Sequence, residues 1–199
     1  MKAKIHEHPQ NNRKSVSGNQ FITLLLAIVF TTSYSFSQNE IKPPKGYTND
    51  IGNMISMLDN LKQRVERNVV NLDQEGTDYL LDENANSPGA IIYHLAATEV
   101  YYQVYTFEGR IFNAEEKEKW ETALNLGDKA RKEFKDKPIQ YYIDIFDEVR
   151  KKTKELLKTK DDEWFKKKIG NMSIHWAWFH VMEHQANHMG QLALISKRI

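Results

Sequence analysis

The segment SIHWAWFHVMEHQANHMGQLALISKRI, residues 173–199, reads as a helix whose apolar stripe is interrupted by histidine. With His184 as origin and about 100° per residue, Ala177 and Ile195 fall near +20°, His188 near +40°, Val181 near +60° and Leu192 near +80°. His184 and His188, four residues apart, therefore lie within the apolar face. His180 falls on its edge, at about −40°, and His175 on the opposite side, where it faces water.

The segment SPGAIIYHLAATEVYYQVYTFEG, residues 87–109, repeats the pattern. Ser87-Pro88 is an N-cap followed by proline at the first helical position, and Gly109 marks the stop. With His94 as origin, Thr98 falls at about +40°, Ile91 at +60°, Tyr101 at −20° and Tyr105 at +20°. His94 is core-facing too, so imidazoles from two helices point into one interior.

Two further segments carry helical stripes. Helix one spans about Asp50 to Leu72 with Ile51, Met54, Ile55, Leu58, Leu61, Val65, Val69 and Leu72. Helix three opens at Pro138 with Ile139, Tyr142, Ile143, Phe146, Val149, Thr153, Leu156 and Leu157. The long helices have about twenty residues and so about 30 Å each. Residues 73–86 and 160–172 are medium links, whereas 110–137 is long, charged and contains the amphipathic piece AEEKEKWETALNL. A link of that length can cross a whole bundle. The expected fold is all-α, a four-helix bundle wired up-down-down-up, with the long crossover between helices two and three. No stretch alternates apolar and polar residues long enough to suggest a strand.

The chain has no Cys, which excludes disulfides, thiolate zinc, iron–sulfur ligation and cysteine catalysis. Any metal must be held by His, Asp or Glu. The formal net charge of +1 gives no global case for nucleic acid. The run Lys166–Lys168 reads as a solvated face, and Trp164, Trp176 and Trp178 as packing at the bundle end. Residues 1–37 read as a signal peptide: Lys2, Lys4, Arg13 and Lys14 against a single Glu7, then the apolar run FITLLLAIVF at 21–30, then Ser35 and Ser37 ahead of Gln38. The expected location is exported, periplasmic or secreted, with an N-terminal anchor if the leader stays. Residues 38–199 read as one domain, the four-helix bundle.

Two histidines at i and i+4 on one helical face can chelate one ion. Spacing alone leaves this open beside hydrogen-bonded core histidines. The two quoted segments resemble the DinB-like (DinB/YfiT-like) superfamily of metalloenzymes. SPGAIIYHLAATEVYYQVYTFEG is similar to its second helix, and HVMEHQANHMGQLALI to its last, where His-x-x-x-His runs into Gly-Gln. The resemblance implies an up-down-down-up bundle and one divalent metal ion, zinc or nickel, held by His94, His184 and His188. His180 matches a histidine that is not usually a ligand, and Asn187 stands where a second adjacent histidine is frequent. Gln191, three residues after His188, could orient a ligand ring, and Tyr101 and Tyr105 could line a pocket. Glu99 and Glu183 point away from the histidines and are not assigned as a base. The expected function is a metal-dependent hydrolase acting on a small molecule. The alternatives are a thiol-dependent S-transferase or isomerase on the same site, or a non-catalytic metal-stabilised protein. Neither nucleic acid nor stable membrane insertion after cleavage is expected, and a homodimer is left open. Expression with an intact export pathway is expected to give a mature N-terminus near Gln38, checked by intact mass.

Overall fold

Two serines set the helices that carry the histidines. In the computed structural model, which describes residues 40–199, the Ser87 hydroxyl accepts from the Ala90 N–H and starts a helix at Pro88. The Ser173 hydroxyl accepts from the Trp176 N–H and starts another at Ile174. Each side chain satisfies one of the N–H groups that a helix start leaves without a partner. The segment read as a leader lies outside the described residues. No described helix is long and apolar enough to cross a membrane.

The elements run α1 Asn49–Val69, α2 Gln74–Asp78, α3 Pro88–Glu108, α4 Ala114–Asn125, α5 Gly127–Glu133, α6 Ile139–Leu157, α7 Asp162–Lys166, β1 Lys168–Ile169, β2 Met172–Ser173 and α8 Ile174–Ile195. Helix α3 ends at Gly109, whose φ of 67° suits a residue without Cβ. Residues 41–199 form one compact unit. The long helices α1, α3, α6 and α8 are the four expected from the stripes. Their side-chain pairings fix direction. Glu99 meets Arg150 and Gln103 meets Thr153, so α3 and α6 run parallel. The Ser196 hydroxyl just past α8 donates to the Asn68 carbonyl near the end of α1, while Ile51 and Ile174 share a core cluster at the other end. Helices α1 and α8 are therefore parallel as well. That is the up-down-down-up bundle, and α4 and α5 lie in the crossover that parallel neighbours require.

One buried polar cluster joins all four long helices. Arg150 of α6, 3% exposed, donates through Nε and Nη2 to the two oxygens of Glu99 on α3, at 2.9 and 2.8 Å. Its Nη2 also donates to Gln185 Oε1 of α8 at 3.0 Å, and its Nη1 to Asp59 of α1 at 3.3 Å. Thr153 donates to Glu99 and accepts from Gln103. Glu99 is thus neither a solvent group nor part of the histidine cluster, but the buried anchor of α3 on α6.

Three details depart from the sequence reading. Residues 168–173 form a minimal antiparallel hairpin, Lys168 opposite Ser173 and Ile169 opposite Met172, turning at Gly170 with φ of 59°. Two residues per strand are too few to show alternation. Helix α8 stops at Ile195 instead of running to the end. Of the three tryptophans, Trp178 is fully buried but Trp176 is 48% exposed, so it is no core packer.

Arg150→Met leaves the Glu99 carboxylate buried without its partner and is expected to cost about 3–5 kcal/mol. Urea unfolding measures the loss, and pairing the substitution with Glu99→Leu should recover most of it.

Candidate metal centre

Helices α3 and α8 run antiparallel, and their contact brings three imidazoles together. His94 Nε2 lies 3.0 Å from His184 Nε2, and His188 Nε2 lies 3.2 Å from the same atom. The ligand-capable nitrogens of His94, His184 and His188 all lie within 4.8 Å of one another, and among the described residues no Asp, Glu or further His joins the group. His94 is buried, whereas His184 and His188 are half-buried.

The outer nitrogens determine what the inner ones can do. His94 Nδ1–H donates to the Ala123 carbonyl at 2.9 Å. Ala123 lies in the last turn of α4, where helix carbonyls lack an intrahelical donor. His188 Nδ1–H donates to Gln191 Oε1 at 2.9 Å, one turn along α8. A neutral ring carries one N–H, so both residues present an Nε2 lone pair to the centre. His184 Nδ1 is buried without a hydrogen-bond partner. Its Nε2 faces two lone pairs, and only one neutral tautomer would give it a proton to share. Three imidazole nitrogens converging with two lone pairs fixed inward form a donor set that fits one divalent cation, with the outer hydrogen bonds orienting the rings as at metal centres generally.

Electrostatics keeps the rings neutral. Burial, then the nearby His188, lower the His94 pKa from its ordinary value of 6.5 to about 4, against an opposing contribution from the Ala123 and Leu124 backbone. Burial, followed by His188, His94 and His180, lowers His184 to about 3. His188 is also lowered by burial, with Gln191 opposing.

The remaining sequence candidates are placed as follows. Gln191 orients His188. His180 packs against His184 with centroids 5.9 Å apart and lies outside the nitrogen cluster. His175 is exposed and stacks on Phe165. Tyr101 and Tyr105 stack on each other at 6.0 Å, and the Tyr105 hydroxyl donates to the Ile169 carbonyl at 3.5 Å. Glu183 is exposed and meets His180 and Asn187. Sequence reasoning missed the Ala123 carbonyl, a backbone atom with no side-chain signature.

Residues 53–199 match the family described as mycothiol-S-transferase. The chain belongs to that family. With it the resemblance to the DinB/YfiT-like superfamily holds. Among solved structures it is similar to YfiT from Bacillus subtilis, described as a probable metal-dependent hydrolase with an unusual four-helix bundle topology. The two share 16% sequence identity and a TM-score of 0.56, covering 82% of this chain and 96% of that one. This likeness shows the fold. No curated protein matches the chain.

The lowered histidine pKa values predict how the metal-free protein responds to acid. The unfolded chain binds protons on these rings near pH 6.5, while folded His94 and His184 resist them to about 4 and 3. Their contribution is complete above about pH 6.5 and is lost as pH falls through this window. Urea midpoints of metal-free protein should therefore drop between pH 7 and 4, and His184→Leu should flatten part of that slope.

Proposed function

We propose that this protein is an exported metal-dependent enzyme acting on a small molecule, with His94, His184 and His188 as ligands to one divalent ion, zinc or nickel. The observation that carries the reading is the convergence of three imidazoles with no Asp, Glu or further His joining them among the described residues. Three-histidine centres that leave a coordination position free are catalytic, whereas structural zinc centres are closed by four protein ligands. When bound, the ion supplies Lewis acidity, polarising a carbonyl or activating water or a thiol. This chain's contribution is orientation. Ala123 and Gln191 hold two rings in the ligand tautomer, and the Arg150 cluster holds the helices that carry them.

Hydrolysis is the preferred reaction, because water as nucleophile requires no second binding site. The family match favours a second reading, transfer to a thiol cosubstrate at the same centre. The two separate in one assay. A hydrolase turns over activated esters or amides without thiol, whereas a transferase consumes electrophile only when thiol is added.

The apolar stripes suffice to fold the bundle without an ion. Chelation is expected to lower the melting temperature while leaving a cooperative helical transition, read by circular dichroism. His188→Ala should abolish tight metal binding and turnover while costing at most a few kcal/mol of stability. Unfolding on chelation would identify a structural site and reject the enzyme reading.

A further inference from the structure

Beside the histidines, the facing halves of α3 and α8 carry a row of rings; Tyr101 and Tyr102 pack against the core clusters yet keep part of their surface in solvent. Tyr101, Tyr102 and Tyr105 on α3 and His180 on α8 are all half-buried, whereas Ile91, Ile92 and Leu95 earlier on α3 are fully packed. The rings are ordered against one another. Tyr101 and Tyr105 stack with planes 7° apart, and Trp176 and His180 stack at 5.4 Å with planes 3° apart. Tyr102 meets His180 edge-on at 5.8 Å, linking the two helices, and His180 in turn contacts His184. The row therefore begins at the nitrogen cluster and runs toward the Gly170 turn. There a Cβ on Gly170 would lie 3.7 Å from the Tyr105 hydroxyl. At about 1.5 Å per residue, Tyr101 lies roughly 10 Å along α3 from His94 and Trp176 roughly 12 Å along α8 from His184.

Rings that keep part of their surface in solvent offer a planar group stacking and apolar burial together. Glu183 beside the row is engaged with His180 and Asn187. We propose that these five residues form the substrate subsite of the metal centre, and that it selects a molecule whose reacting group carries a planar aromatic or conjugated portion. The proposal rests on the metal-centre reading above and adds the substrate class to it. His180, which contacts His184, lies against the part of the ligand next to the reacting atoms, and Tyr101 and Trp176 against its far end.

Two hydroxamates with the same metal-binding head test it: acetohydroxamic acid, with a methyl tail, and 4-phenylbenzohydroxamic acid, with a biaryl tail. Calorimetric titration of the zinc-loaded protein should show the biaryl compound binding about tenfold tighter or more. Tyr101→Leu and Trp176→Ala should each shrink that ratio about threefold or more. Trp176, nearly half exposed, can be truncated without a core cavity, so at least this variant remains folded. Equal affinities for the two compounds would overturn the aromatic subsite and leave the metal centre standing. A tenfold preference unchanged in both variants would place the tail elsewhere and also overturn it. If neither compound binds protein that holds one equivalent of zinc, the accessible metal centre fails and the subsite with it.

Discussion

The guanidinium of Arg150 is the point on which the four long helices agree. It reaches Glu99, Gln185 and Asp59 from α6, so α1, α3 and α8 each hold one of its partners. A buried ion pair adds little net stability, because desolvation offsets the attraction. Its consequence is geometric. The bidentate contact admits one rotation of α3 about its axis, and Glu99 lies five residues after His94. Gln185 ties α8 to the same guanidinium through one hydrogen bond, directly beside His184. The histidines meet because a planar fork elsewhere in the interior leaves their helices a single register.

The histidine cluster inverts the usual logic of a core. Polar groups are normally buried with their partners, yet His184 Nδ1 has none and the Nε2 lone pairs of His94 and His188 face inward. Apolar clusters built from all four long helices surround this arrangement. A site whose internal contacts are poor and whose scaffold is good is arranged for something that comes from outside. That agrees with the family to which the chain belongs.

Much of this was legible in the sequence for a physical reason. The stripes of α1, α3, α6 and α8 follow the 3.6-residue period over about five turns, and a histidine inside such a stripe has only the interior to face. Gln191 follows from the i,i+3 relation to His188. Arg150 carried a signal too. It lies within about 40° of Phe146 on its helix, and a charge at that angle requires a buried partner. The angle identifies the donor but not which carboxylate will meet it across the bundle. Trp176 was misjudged by residue type, although its angle puts it on the outer face of α8. The Ala123 carbonyl left no trace, because every residue has one and only the end of α4 frees this one.

That carbonyl also divides the chain entropy of the centre unequally. His94 and Ala123 are 29 residues apart in the chain, His94 and His184 are 90. Closing the longer loop costs about 1 kcal/mol more in chain entropy. The contact that orients the His94 ring is therefore the more local of the two, and it fixes the tautomer without drawing on the distant helix that supplies the other two rings.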